Sequence, residues 1–360
     1  MSELNYSELK YPKMNSFRKG LVSGLNPEEH YVCVEKLHGS NSQFFYQGSE
    51  DGPTWKLGKR NGWISPEEMV NFYNVGKAYQ PFIQQLIAAC DSACYESGMD
   101  SRHCQVSIFS EIYGPKVQKG MKYHDTETIA VFDIRVNDLF LCYDKVKSIC
   151  QQHNLPMAPE VCKGTLGDLV SSFQVEELSS LVPNVLHGND IRDAPCEGVI
   201  LRPVNQDGFE NRFKWKKQAF CERQVKSVTT SEDGEVSNAV NYLNSQRLDC
   251  YMSKVGPQFI LNRINLGSNI RALVQDTMTD IQEDFPELWL DTPRRKKVNK
   301  IISGRASQMI NQFIFDYVPP KLSPEEQLGQ IEDNMKKTRS YILDIKSKMI
   351  NIRARLIKFQ

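Results

Sequence analysis

About two thirds of the way along the chain, short β-like runs stop and helical periodicity takes over, and the polar stretch Thr229-Thr230-Ser231-Glu232-Asp233-Gly234 marks the change. Before it, runs rich in Val, Ile, Phe and Tyr lie at Tyr31–Val34, Gln43–Tyr46, Thr54–Leu57, Gln105–Phe109, Thr128–Val136, Gly198–Leu201 and Arg212–Trp215. Gly, Pro, Asn and Asp bound several of them, as strands require. Two helices interrupt the series. One starts at Ser65-Pro66-Glu67-Glu68, an N-cap, a proline at the first helical position and a glutamate placed to close a capping box; it runs towards Cys90 with a break at Pro81. The other covers Asp144–His153. Strands and helices do not alternate strictly, which disfavours a doubly wound parallel sheet and predicts an α+β region built on antiparallel sheets.

The resulting division is residues 1–228, a linker at 229–235, an all-α domain at 236–322 and a long amphipathic helix at 323–360. A chain of 360 residues suits two principal domains. In the last segment Ser323-Pro324-Glu325-Glu326 repeats the helix start, and Ile331, Met335, Thr338, Ile342, Ile345, Met349, Ile352 and Leu356 alternate spacings of four and three. That seam reads either as a helix packed on its own domain or as a coiled-coil arm for self-association. Lysine and arginine balance aspartate and glutamate at 44 each, which excludes a binder that works by gross positive charge. No run approaches the length of a membrane span, and the start, MSELNYSELKYPKM, lacks the profile of a signal or transit peptide. Ten cysteines then read as mostly reduced core thiols in an intracellular setting.

Val34-Glu35-Lys36-Leu37-His38-Gly39-Ser40-Asn41 places a lysine directly after a β-like run, with His, Gly, Ser and Asn close behind. The glycine permits a tight bend, and a lysine at a strand end points into whatever cleft the sheet forms. Alone, the pattern K-x-H-G is common by chance. It is followed in order by Phe109-Ser110-Glu111-Ile112-Tyr113-Gly114, Val131-Phe132-Asp133-Ile134, Glu197-Gly198-Val199-Ile200-Leu201-Arg202 and Phe213-Lys214-Trp215-Lys216. This series resembles the motifs of the covalent nucleotidyltransferases, the superfamily of ATP-dependent ligases and capping enzymes. His38, where DNA ligases and guanylyltransferases usually carry Asp, is similar to the RNA ligase 2 family of phage-type nick-sealing enzymes. Gly58-Lys59-Arg60-Asn61-Gly62 sits where that family has its arginine motif. The resemblance runs over residues 30–217 and reappears at Leu243-Asn244 and Met252-Ser253-Lys254-Val255-Gly256, similar to the start of the family's helical C-terminal domain.

The resemblance implies an adenylyltransferase domain in which Lys36 attacks the α-phosphorus of ATP to give lysyl-AMP. A lysine near its free pKa is protonated at neutral pH, so such a site must favour the neutral amine; Lys214, Lys216 and a bound metal are the candidate neighbours. Alternation on a strand puts Lys214 and Lys216 on one face, where they suit the α-phosphate. Glu197 is implied as the ligand of Mg²⁺, with Mn²⁺ as a second candidate, since one carboxylate plus phosphate oxygens and waters suffices. Glu111 is implied to bind the ribose and Phe132 to stack on adenine, with Glu35, Arg60, Lys214 and Lys216 also contacting the nucleotide. His38, Asn41, Arg60 and Asp133 are implied to serve the RNA. Ser40, Arg202 and Trp215 depart from the family pattern without removing a required group. The expected activity is ATP-dependent joining of 3′-OH and 5′-phosphate RNA ends. The alternatives are a DNA ligase, a guanylyltransferase or a non-catalytic RNA-binding scaffold.

Two further groupings invite functional readings. Cys90, Cys94, His103 and Cys104 have N and S ligands, but at spacings of no common zinc finger. Arg294, Arg295, Lys296, Lys297, Lys300 and Arg305, together with the basic stretch Arg212–Lys226, offer local patches for tracking phosphates or simply a solvated face.

Overall fold

The computed structural model describes residues 6–317 apart from 116, 118–120, 122, 192, 221–235 and 237. The linker expected at 229–235 and the helix expected at 323–360 therefore lie outside the described residues. Met1–Gln312 form one compact unit and Phe313–Gln360 a second.

Eleven strands are described: β1 (Asn15–Ser16), β2 (His30–Glu35), β3 (Ser40–Gln47), β4 (Thr54–Lys59), β5 (Gly62–Trp63), β6 (Gln105–Tyr113), β7 (Thr128–Val136), β8 (Leu139–Phe140), β9 (Glu160–Thr165), β10 (Gly198–Pro203) and β11 (Phe213–Lys216). They form two sheets, of order β1-β11-β10-β2-β9 and β5-β4-β3-β6-β7-β8. Every pairing is antiparallel except β1 with β11, so the α+β expectation holds. Strand β9 carries Cys, Lys, Gly and Glu and no strong apolar alternation, which is why pattern alone passes over it.

Three apolar layers hold this region together. Phe44, Tyr46, Ile108, Ile112, Val131 and Ile134 on one face of the β3–β7 sheet pack with Leu86, Ala89, Val146 and Ile149. The latter lie on the helices Ile83–Glu96 and Tyr143–Gln152. Val32 and Val34 of β2 meet Ala130 and Phe132 of β7 in the layer between the sheets. Tyr31, Cys33, Val199, Leu201 and Phe213 cover the outer face of the first sheet. The helix expected from Ser65 starts as its capping box predicts: the Ser65 N–H donates to Glu68 Oε2 at 3.0 Å and the Glu68 N–H to Ser65 Oγ at 3.4 Å. It then breaks earlier than Pro81. Tyr73 and Asn74 both adopt positive φ, 52° and 50°, and separate Glu68–Asn71 from Val75–Tyr79.

After residue 237 the described chain is helical: Ser245–Val255, Pro257–Leu261, Leu266–Asp284, Pro286–Leu290 and Thr292–Asp316. Leu248, Tyr251, Leu273, Ile281, Val298 and Ile302 are buried among them. Arg247 is 1% exposed and is held by Asp276 at 3.1 Å, Asp280 at 2.6 Å and the Tyr242 carbonyl at 2.9 Å. The end of Ser245–Val255 docks on the strand region. The Tyr73 hydroxyl donates to the Met252 carbonyl at 3.1 Å, and the Ser40 hydroxyl donates to the Ser253 carbonyl. Among the described residues no helix is long and apolar enough to cross a membrane.

Candidate active site

Strand alternation decides which side chains enter the cleft between the sheets. Val32 and Val34 face the layer between the sheets, so Lys36, two residues on, points the same way. On β11, Phe213 and Trp215 pack on the outer face, which turns Lys214 and Lys216 towards the cleft. Glu197 stands just before β10. Its carboxylate receives Lys36 Nζ on Oε2 at 2.7 Å and Lys216 Nζ on Oε1 at 2.7 Å, and His38 Nδ1 lies 3.1 Å from Oε2. Burial alone would raise the Glu197 pKa; Lys36, Lys216 and His38 together outweigh it and hold the carboxyl well below the usual range.

Two glycines make this convergence sterically feasible. Gly198 has φ of 145°, and a Cβ there would lie 2.2 Å from the Trp215 carbonyl oxygen. The Gly198 carbonyl accepts the Lys36 N–H at 2.9 Å, so the loop bearing the glutamate is tied to the residue it pairs with. A Cβ on Gly39 would lie 2.2 Å from the Ile112 carbonyl oxygen and 2.8 Å from Glu111 Cγ. The turn after Lys36 can thus pass directly over β6 only as glycine.

Glu111 lies on β6 in register with Asn41 of β3. Desolvation pushes its pKa up to about 7; Lys36 and Arg60 oppose the rise, and Glu197 adds to it. Arg60 follows β4, and its Nη1 donates to the Tyr11 carbonyl at 2.9 Å. The His38 ring lies edge-on to Phe220 at 5.3 Å, and its backbone N–H donates to the Tyr123 hydroxyl at 3.4 Å. The Glu35 carboxylate turns to the other side of β2, where Ser180 Oγ donates to it at 2.5 Å and the Leu181 N–H at 2.8 Å. Burial raises its pKa despite those bonds.

Phe132 and Asp133 show what alternation cannot predict. Phe109 pairs with Asp133 and Ser110 with Val131, so Phe132 is an extra residue on β7. This bulge puts neighbours 132 and 133 on the same side of the sheet. Phe132 remains half-buried beside the cleft, whereas Asp133 is fully buried. Its carboxylate pairs with Arg212, with Arg202 at 3.3 Å, and accepts the Tyr11 hydroxyl at 3.0 Å. Arg202 also donates to the Phe132 carbonyl at 3.1 Å and to the Leu141 carbonyl at 3.1 Å. The network bolts β10 and the start of β11 to β7 directly behind Phe132. Arg212 is consequently a core residue, 4% exposed, and not the start of a surface basic patch as the sequence suggested.

Tyr11 had no sequence signal. Its ring stands edge-on to Phe109 at 4.9 Å, Phe132 at 5.1 Å, Phe140 at 5.7 Å and Phe209 at 5.3 Å. Through its ring, hydroxyl and carbonyl it touches Phe132, Asp133 and Arg60. The other groupings separate. Cys90, Cys94 and Cys104 are buried in the apolar core, while the exposed His103 lies 3.6 Å from Glu50. Among the described residues no three His, Cys, Asp or Glu side chains converge as a metal cluster. In the basic helix Arg294 pairs with Asp291 at 2.9 Å, and Arg305 donates to the Val240 carbonyl at 3.4 Å.

The profile of the RNA ligase family matches residues 29–216, and that of the T4 RNA ligase 2 C-terminal domain matches residues 226–312. Among solved structures, the chain is similar to the RNA ligase of Naegleria gruberi with pyrophosphate, with a TM-score of 0.44 at 15% identity over 61% of this chain and 58% of that one. A variant of the same enzyme with AMP and Mn gives 0.43 at 14% identity over 61% and 59%. A variant without ligand gives 0.43 at 14% over 59% and 56%. The chain thus spans less than two thirds of the length of these relatives. No curated protein matches it. The first profile alone covers more than half of the 360 residues, and the chain belongs to the RNA ligase family.

Proposed function

We propose that this protein is an ATP-dependent RNA ligase that joins 3′-OH and 5′-phosphate ends, with nicks in duplex RNA as its substrate. The observation that carries the reading is the convergence of Lys36, Lys216 and His38 on the buried carboxylate of Glu197. Lys36 attacks the α-phosphorus of ATP, forming a P–N bond as pyrophosphate leaves. AMP then passes to the RNA 5′-phosphate, and the 3′-OH displaces it to close the phosphodiester. In each transfer the work is positioning and charge neutralisation. Lys214 and Lys216 present positive charge from one strand face, Glu111 accepts ribose hydroxyls, and Phe132 stacks on adenine. Glu35, at the end of β2, supports the nucleotide site from the strand's other face through Ser180 and Leu181. Arg60, His38 and Asn41 surround the RNA ends, and Asp133, whose motif implies a role there too, is buried behind Phe132 with Arg202, Arg212 and Tyr11.

A divalent ion, Mg²⁺ or Mn²⁺, fits this donor set. Glu197 is a hard oxygen ligand held ionised, and such ions need few protein ligands when phosphate oxygens and waters complete the shell. Bound there, the ion would neutralise phosphate charge. The helical region after residue 236 grips the duplex by backbone and shape rather than sequence. The reading keeps residues 1–228 as catalytic domain, 229–235 as linker, 236–322 as helical domain and the sequence pattern of 323–360 as a seam for self-association, with 229–235 and 323–360 outside the described residues. An intracellular setting, where thiols stay reduced, is part of the same reading.

The test is incubation of the protein with a divalent ion and α-labelled ATP, with GTP in parallel, without RNA. One covalent AMP on the peptide carrying Lys36 is expected. Label from GTP would move the reading to capping chemistry, and label from neither to an RNA-binding relative. Sealing of a nicked RNA duplex, compared with single strands, tests the substrate.

Two further outcomes follow from the cleft. Glu111 accepts ribose hydroxyls more strongly as the carboxylate, and burial raises its pKa to about 7. The KM for ATP should therefore rise as pH falls through 7 and level off below it. Glu111→Gln should raise KM at high pH and flatten the profile; an unchanged profile would exclude Glu111 from ATP binding. Tyr11→Phe keeps the ring and loses one hydrogen bond, costing about 1 kcal/mol in urea denaturation. Tyr11→Ala removes the wedge against Phe132, costing ~3 kcal/mol and raising the KM for ATP. Equal effects of both variants would show that the hydroxyl, not the ring, matters.

A further inference from the structure

Cys33 and Cys162 face each other across β2 and β9, paired in direct register. Both side chains lie in the apolar layer on the outer face of the first sheet, so they share a face as well as a register position. Residues directly opposed in an antiparallel pair have Cα atoms about 4.5–5.5 Å apart, within the range a disulfide spans. The pair is asymmetric. Cys33 is fully buried, on a strand flanked by neighbours on both sides, whereas Cys162 is half-buried and β9 is the edge of its sheet. Both are free thiols.

We propose that Cys33 and Cys162 form a peroxide-oxidisable site in which Cys162 is the attacking thiolate and Cys33 the resolving thiol. The charge distribution agrees with the geometry. The hydrogen bond from Cys33 holds the Cys162 thiol below its ordinary range despite burial, and the same shared proton, with desolvation, pushes Cys33 up. The thiolate is thus favoured on the member a small oxidant can reach, the arrangement that makes a cysteine reactive.

The steps balance without any other redox partner. The Cys162 thiolate attacks one peroxide oxygen; the O–O bond breaks, Cys162 becomes the sulfenic acid, and the departing hydroxide takes up the proton the Cys162 thiol had released and leaves as water. The Cys33 sulfur then attacks the Cys162 sulfur, the S–S bond forms, the S–O bond breaks, and the departing hydroxide takes the Cys33 proton as a second water. Two thiols give up two electrons and one peroxide becomes two waters. The bridge would tie the edge strand β9 to β2, the strand that leads into Lys36. It lies on the face opposite Lys36, whose own side of β2 carries Val32 and Val34.

A second cysteine pair provides an internal control. Cys94 and Cys104 also lie close enough to influence each other, but both are buried and neither offers an entry point. Full-length protein treated with hydrogen peroxide, alkylated and digested should yield a Cys33–Cys162 linked peptide that dithiothreitol removes. It should form at least about tenfold faster than any Cys94–Cys104 bridge, with the half-buried Cys250 serving as a marker of general thiol oxidation. Cys33→Ser should stop the reaction at Cys162 and carry it on to the sulfinic acid; Cys162→Ser should leave Cys33 a free thiol. Hydrogen exchange on the oxidised wild type should show slower exchange of β9 amides, a readout independent of either variant's folding. The proposal is overturned if Cys94–Cys104 forms as fast, if wild-type Cys162 stays reduced while Cys250 oxidises, or if it reaches the sulfinic acid unbridged.

Discussion

Lys36→Ala should abolish covalent AMP labelling altogether, because no other group can replace the amine as a nucleophile. Lys214 and Lys216 lie on β11 facing the same cleft, and Lys216 is already engaged by Glu197 at 2.7 Å. Neither extends from the end of β2, so neither should take up label. Glu197→Gln should behave differently. It removes the negative charge that three neighbours share, and should slow labelling by about 10²–10³-fold rather than erase it, the scale of losing one preorganised electrostatic group. Its stability cost should be modest, about 1–2 kcal/mol, because Lys36 and Lys216 retain 23% and 16% side-chain exposure and can turn towards water. Intact-mass measurement of both variants checks the pair. Persistent labelling of Lys36→Ala at any site would sink the assignment of the nucleophile.

Asp133→Ala should produce the largest loss of stability of any single change in the cleft, about 3–5 kcal/mol by urea denaturation. Two guanidiniums, 3% and 4% exposed, share this carboxylate and would be left facing each other in the core. Against a usual total of roughly 5–15 kcal/mol, that is a large fraction. Asp133→Asn keeps the shape and one acceptor and should cost about half as much. The measurement also decides what Asp133 is for. As a bolt behind Phe132, it should affect stability and ATP binding together and leave nick sealing by adenylylated protein unchanged. If Asp133→Asn instead impaired sealing at unaltered stability, the role in the RNA site implied by its motif would stand.

Much of this protein is legible from its residues because local rules suffice there. The runs at Thr128–Val136 and Gly198–Leu201 became strands because β-branched residues fit a pleated, half-buried surface. Ser65-Pro66-Glu67-Glu68 began a helix because its capping bonds are made within four residues. K-x-K on β11 faced one way because side chains alternate. Failures occur where a distant contact overrides the local preference. Strand β9 forms because β2 presents an open edge to it, not because its own sequence is apolar. The helix towards Cys90 breaks at Tyr73 and Asn74, where the Tyr73 hydroxyl reaches the Met252 carbonyl 179 residues on.

The candidate site divides along the same line. Order and residue type along the chain determined which groups are candidates for the chemistry: Lys36, Glu111, Glu197, Lys214 and Lys216 are recognisable by motif and strand parity. Tertiary structure alone decided how they are held. A single extra residue on β7 turns Phe132 and Asp133 to the same side, and Asp133 then finds Arg202, Arg212 and Tyr11, from segments that nothing in the local pattern connects. A buried charge requires partners wherever the fold can supply them, and alternation, capping and propensity act only over a few residues. That is why the proposed nucleophile could be read from the chain and the bolt behind Phe132 could not.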